Sequence, residues 1–308
     1  MEKKLPQLDK FLQSTEPQTV FHEIRRIFSF NYNDAYFDQI EDTYLLIKHL
    51  FEGTFKGYKS CNTDYHNFNH TIDTTLATMR LIDGYNLSSL SHFSLSTAVN
   101  LLIASLFHDT GYIQTESDID GTGAKYTLDH VKRSVELFIR HHEEFGIDPV
   151  HIDEISKFIY GTDLGMDINT IPYTSDEQRI STYILATGDL ISQMADRAYL
   201  EKLLFLYYEF REAGISGYNT EFDILKKTVT FYDITKVRLN ETLHEVHSLV
   251  KNHFEARFEI DHNLYIEEME KNIAYLNGII EDDKSNFRGK LKRWDSETLS
   301  KYNFSIAK

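Results

Sequence analysis

Ser96-Thr97-Ala98-Val99-Asn100-Leu101-Leu102-Ile103-Ala104-Ser105-Leu106-Phe107-His108-Asp109 holds the longest apolar run of the chain, Leu101 to Phe107, broken once by Ser105. A helix over 96–109 is apolar nearly all round, so the stretch predicts a buried central helix. It falls short of the ~18 apolar residues a membrane span needs. It also ends in an imidazole and a carboxylate, with Gly111 just beyond. Polar groups at the tip of so apolar a helix are costly unless something pairs with them.

Outward from that helix, periods of three and four dominate. Helices are predicted over 36–51, over 64–82 with Asn62, Thr63 and Asp64 able to cap, and over 127–144 from Thr127. Asp148-Pro149 opens another over 149–160. Ser175 with Gln178 reads as a capping box for one long helix to about Ala213. Patterns over 221–239 and 241–281 complete the body, and 110–125 reads as a loop. Strand patterns are nearly absent, and only 4 prolines and 14 glycines punctuate the 308 residues. The expected fold is all-α: a loose arm over 1–18 and one multi-helix domain over 19–308. Within it the candidate site spans about 60–200 and C-terminal helices span 221–281.

Composition narrows the function. Hydrophobic residues are 41% and aromatics 13%, as in globular proteins. Asp plus Glu number 48 against 32 Lys plus Arg, a net charge of −16. That charge argues against nucleic acid and anionic membranes as partners. The single cysteine, Cys61, excludes an internal disulfide framework and suits a reducing compartment. With no apolar signal core after Met1, a soluble cytoplasmic protein is expected.

Three constellations carry chemistry. In Tyr65-His66-Asn67-Phe68-Asn69-His70-Thr71-Ile72-Asp73, a helix puts His66, His70, Asp73 and Ala77 on one face. Two imidazoles one turn apart can present nitrogens to a common centre, and a nearby carboxylate can orient one of them. His108-Asp109 can meet one ion where its helix ends. Asp189 lies in an apolar stretch, on a stripe with Thr182, Ala186, Gln193 and Asp196, and needs a cation or donors. An arginine, Arg179 or Arg197, would serve equally. His70, His108, Asp109 and Asp189 together make a nitrogen-and-oxygen ligand set without thiolate. Such a set suits Zn²⁺, Fe²⁺ or Mn²⁺ and, on the oxygen side, Mg²⁺. His66 stays free to handle a proton.

His66-Asn67-x-x-His70-x-x-Asp73, an apolar helix ending in His108-Asp109, and a distal Asp189 resemble the HD superfamily of metal-dependent phosphohydrolases. More narrowly, the pattern resembles the catalytic domain of class I 3′,5′-cyclic-nucleotide phosphodiesterases. Leu128-Asp129-His130 and Ile159-Tyr160-Gly161-Thr162-Asp163 resemble two further segments of that family. The resemblance implies a first ion (Zn²⁺, Fe²⁺ or Mn²⁺) on His70, His108, Asp109 and Asp189. Asp109 would bridge to a second ion, Mg²⁺ or Mn²⁺, held mostly by water. His66 would be the general acid, and Asp73, His130 and Asp163 would line the water shell or the phosphate. Gln193 is a candidate for gripping the base. The family continues its His-Asp with a further Asp and His; this chain has Thr110-Gly111-Tyr112.

The expected function is therefore hydrolysis of a cyclic nucleotide by a metal-held hydroxide, with His66 protonating the departing oxygen. Two alternatives stand beside it: an HD-type enzyme acting on nucleoside mono- or polyphosphates, and a non-catalytic metal or nucleotide sensor. The aromatic stretch Tyr199–Phe210 reads as core or as the interface of a homodimer, and His141-His142-Glu143-Glu144 as a solvated face.

Overall fold

The computed structural model describes residues 8–11, 16–88, 92–282, 287–291 and 293. Among them the protein is all-α, its helices joined by short 3₁₀ turns, with no β-strand. No helix is long and apolar enough to cross a membrane.

At the centre lies α3 (Phe68–Leu87), which packs against α1 (Pro17–Asn31), α4 (Leu95–Phe107), α7 (Asp176–Ala195) and α10 (Val250–Phe258). α4 is the central helix read from the sequence. Ser94 Oγ accepts from Thr97 N and caps it, and every residue from Thr97 to Phe107 is buried. α2 (Asp38–Glu52) and α6 (Ile152–Tyr160) cover α4, and α5 (His130–His141) follows the loop after it.

Several boundaries differ from expectation, each for a local reason. α3 begins four residues later than 64, because Asn67 Oδ1 accepts from Asn69 N and His70 N, making Asn67 the cap. The helix expected over 127–144 is shorter, His130–His141, and Thr127 closes a 3₁₀ turn ahead of it. Asp148 does cap, but Pro149 starts a 3₁₀ turn that precedes α6. Ser175 caps α7 through the Gln178 amide, while the Gln178 side chain accepts from Thr174 N rather than closing a box with Ser175.

The long helix to Ala213 is two helices, α7 and α8 (Tyr199–Glu212). Asp196 Oδ1 accepts from Ala198 N and its main chain turns extended, while Asn272 Nδ2 takes the freed carbonyls of Met194 and Asp196. The expected 241–281 helix is likewise divided. α9 (Glu221–Val237) passes into a π-helical turn, Arg238–Thr242. α10 and α11 (Leu264–Asp282) are separated after Phe258, where Glu259 takes a left-handed conformation.

The arm over 1–18 was expected to be loose. Its described part is instead packed: Leu8–Phe11 forms a 3₁₀ turn, Leu8 is buried, and the Phe11 ring meets Phe254 and Phe258. Pro17 already opens α1 as its first helical residue. The rest of that arm, 1–7 and 12–15, lies outside the described residues.

Candidate metal centre

Of the four side chains singled out from the sequence, His70, His108 and Asp109 form a buried group with ligand atoms all within 4.8 Å of one another, and Asp189 approaches the two imidazoles from a third helix. His70 stands in the first turn of α3, His108 and Asp109 at the end of α4, and Asp189 in the last third of α7. His70 Nε2 is 3.3 Å from Asp109 Oδ2 and 3.2 Å from Asp189 Oδ1. His108 Nε2 is 3.4 Å from Asp109 Oδ2, 3.7 Å from Asp189 Oδ1 and 3.4 Å from His70 Nε2. A tetrahedral ion with bonds of about 2.0–2.2 Å needs ligand tips roughly 3.3–3.6 Å apart.

Local structure sets each tip. α4 ends at Phe107, so His108 and Asp109 leave the helical repeat and can turn to one centre. His108 Nδ1 donates to Ser105 O at 2.8 Å, which leaves Nε2 as the lone-pair nitrogen. α7 lies close to α3 because residue 188 is glycine: a Cβ there would stand 2.7 Å from Thr78 Oγ1. Asp189 follows at once and faces His70. Neither arginine offered for Asp189 reaches it. Arg179 holds Asp176 at 2.8 Å, and Arg197 holds Asp9 at 2.9 Å.

The electrostatics are compatible with a cation. Asp109 Oδ2 is buried with no hydrogen-bond partner among the described residues. Burial opposes ionisation of Asp109 and Asp189. Even so, His108 and His70 hold the Asp109 carboxyl well below the usual range, and His70 and His108 lower Asp189. Burial works against a charge on His70 too, but the two carboxylates outweigh it and raise that imidazole to about 10. The His70 proton thus offsets part of the carboxylate charge, and a divalent ion could take its place. A buried, orphaned carboxylate oxygen facing two imidazoles fits a metal site.

His66 is not on α3, so its helical spacing to His70 does not exist. It sits in the preceding turn, its ring centroid 6.0 Å from that of His70. Its Nδ1 is 2.6 Å from Glu209 Oε2, and the other Glu209 oxygen accepts from Tyr65 N at 2.7 Å. The His66 ring stacks on Tyr112 at 4.3 Å, and Tyr112 stacks on His130 at 4.6 Å. Glu209 and Tyr112 were both missed. Glu209 lies in the aromatic stretch of α8 read as core or dimer interface, where it is one of two carboxylates, Glu201 and Glu209.

His130 Nε2 lies 3.6 Å from Asp109 Oδ1, and its Nδ1 faces Thr127 O at 2.8 Å. Burial lowers its pKa. The Thr110-Gly111-Tyr112 segment has a packing role. Gly111 lets α5 close in, since a Cβ would stand 1.9 Å from His130 O. Ser134 Oγ accepts from Gly111 N and donates to His108 O.

The remaining candidates are placed differently. Asp73 lines a small cavity with Tyr65, His70, Ser192, Gln193, Asp196 and Lys202, and burial pushes it up to about 6. Gln193 was offered for substrate, but its side chain is committed internally. Its Nε2 donates to Asp189 O and Oδ1 at 3.2 and 3.3 Å, and its Oε1 accepts from Tyr65 OH at 2.8 Å. Asp163 is not brought into the cluster; its carboxylate accepts from Gly165 N in an Asx turn. His141 bonds Tyr58 OH and pairs with Glu144, away from any metal-ligating group among the described residues.

Fold and site together define an all-α protein with a buried His70–His108–Asp109 cluster flanked by the half-buried Asp189. The Npun_R2479-like family model matches residues 18–263, and the chain belongs to that family. No curated protein matches the chain.

Proposed function

We propose that this protein is a metal-dependent phosphohydrolase whose substrate is a 3′,5′-cyclic nucleotide. The observation that carries the reading is the buried group of His70, His108 and Asp109 around an orphaned carboxylate oxygen, with Asp189 Oδ1 3.2 Å from His70 and 3.7 Å from His108. The ordered resemblance of the motifs supports the same reading.

His70, His108, Asp109 and Asp189 would hold the first ion, and Asp109 Oδ1 with His130 beside it would serve a second. Bound divalent ions supply Lewis-acid charge at the phosphoryl oxygens and bring the pKa of water from 15.7 towards 7. The residues of the chain do the rest. Glu209 accepts a hydrogen bond from His66 Nδ1 and orients the ring, which leaves Nε2 of the imidazolium to donate to the departing O3′. Such a donor is worth about 10²–10⁴-fold. Tyr112 and His130 shield one side of His66 from water by stacking.

A second reading rests on Gln193. Its amide is used to brace Asp189, so it is not available to grip a base, and this favours nucleoside mono- or polyphosphates as substrates. The test is elemental analysis of the purified protein, followed by assays of cyclic AMP, cyclic GMP and nucleoside mono- and triphosphates with Mn²⁺ or Mg²⁺. Turnover of a cyclic nucleotide supports the first reading and turnover of the others alone supports the second. Metal-loaded protein that hydrolyses none would be a sensor.

A further inference from the structure

Tyr112 closes the 3₁₀ turn Thr110–Tyr112 that follows Asp109, and its side chain is buried. Its main chain is fixed from several sides. The Tyr112 amide donates to Asp109 O at 3.1 Å, which sets its place relative to a candidate metal ligand. Gly111 before it packs on α5, and Gly123 packs on Tyr112 itself, where a Cβ would stand 2.0 Å from Tyr112 O. A ring carried on so closely packed a turn has little room to move. It meets two imidazoles nearly in parallel. His66 lies 4.3 Å away between centroids and 11° from parallel, and His130 lies at 4.6 Å and 24°. The two imidazoles are 6.1 Å apart, so the three rings pack as one block.

His66 needs such a partner. It lies ahead of α3, in the turn before Asn67, so no helical repeat fixes its side chain. Thr63 Oγ1 donates to its carbonyl and anchors its main chain. Glu209 holds its ring at Nδ1 alone. A single hydrogen bond to a ring nitrogen fixes one direction within the ring plane and leaves rotation about that line. A flat ring laid against the imidazole fixes the plane itself. Glu209 and Tyr112 therefore supply different constraints, and both are needed to hold the direction in which Nε2 points.

We propose that Tyr112 is a positioning residue: its ring holds the plane of the His66 imidazole and so aims Nε2 at the departing oxygen. This deepens the phosphohydrolase reading and rests on it for the reaction, though not for the placement of the ring. Mn²⁺-loaded wild type, Tyr112→Phe and Tyr112→Leu are compared on cyclic AMP and on bis(4-nitrophenyl) phosphate, with metal content and thermal midpoints measured beside the rates. Tyr112→Phe keeps the flat ring and should turn over cyclic AMP within about threefold of wild type. Tyr112→Leu removes it and should lower kcat about 10–100-fold, with KM within about threefold and metal retained. On the diester, 4-nitrophenolate departs without a proton, so Tyr112→Leu should stay within about threefold of wild type. A change that merely distorts the metal centre would lose both substrates together. Tyr112→Met, which fills the gap with a flexible chain, replaces Tyr112→Leu if that variant has a lowered thermal midpoint. Wild-type turnover of cyclic AMP without the ring, equal loss on both substrates, or a loss in Tyr112→Phe as large as in Tyr112→Leu overturns the proposal. Loaded wild type that hydrolyses no phosphoester sinks the phosphohydrolase reading instead. Nuclear magnetic resonance of the His66 ring protons then decides the placement. Loss of the Tyr112 ring current should move them in Tyr112→Leu and leave them in Tyr112→Phe, and unmoved resonances in Tyr112→Leu overturn it.

Discussion

Glu209 on α8 holds His66, a residue 143 positions earlier, through a 2.6 Å contact to Nδ1. One carboxylate oxygen faces the ring and the other the Tyr65 amide, so the imidazole and the backbone that carries it are fixed by a single group. Nδ1 donates to Glu209 and Nε2 faces away from it, so a ring that also donates from Nε2 must be the imidazolium. Replacing Glu209 by Gln keeps the shape but removes the charge that stabilises imidazolium. Turnover should fall about 10–100-fold with metal content unchanged. His66→Ala should cost more, about 10²–10⁴-fold, again with metal retained. Steady-state rates beside elemental analysis check both, and an active Glu209→Gln enzyme would remove the positioning role.

Asp109 is the residue both candidate ions would share. Asp109→Asn leaves an amide nitrogen or a neutral oxygen where an orphaned carboxylate now faces two imidazoles. The variant should lose bound metal and activity together. A protein that kept full metal stoichiometry and full turnover after this change would show that the cluster is not the site.

Gly111 lies between the candidate metal centre and α5. In Gly111→Ala the new methyl would meet His130 O at 1.9 Å, so α5 must move. Overpacking of this kind costs about 1–3 kcal/mol, and the Ser134 bridge to His108 O would be strained with it. The expected result is a lower thermal midpoint accompanied by weaker metal affinity. An unchanged midpoint would mean that α5 yields freely.

Asp83, fully buried on α3, accepts from Asn31 at 2.7 Å, Arg257 at 2.8 and 3.1 Å, and His253 Nδ1 at 2.6 Å. Burial opposes its charge, but His253, Arg257 and Asn31 hold it at about 2. Burial also keeps His253 neutral, below its ordinary 6.5. Both shifts have the same sign for stability. The unfolded chain takes up a proton on His253 as pH falls below 6.5, and the folded chain resists until a lower pH. Asp83 adds a second loss between about 4 and 2. Urea unfolding from pH 7.5 to 5 should show stability falling in acid. The fall should be shallower in His253→Asn, which keeps a donor and removes the titrating ring. Parallel profiles for the two proteins would rule His253 out.

The apolar run through Leu101–Phe107, the 3.6 periodicity and the scarcity of strand signals were enough to read an all-α chain, since local repeat alone decides which faces can be buried. The candidate residues were legible for two reasons: His108, Asp109 and Asp189 are polar groups at the end of or within apolar stretches, and His70 stands at a regular spacing from His66 and Asp73. Helix ends were not, because Asp196 and Asn67 terminate or cap through hydrogen bonds to atoms that only the folded backbone brings near. The break at Asp196 is decisive, because one continuous helix would have kept Glu209 from folding back to His66. The approach of His70 to His108 and the choice of Glu209 over solvent depend on contacts between residues 38 and 143 positions apart. Chain connectivity sets no such distance; close packing of the whole fold does.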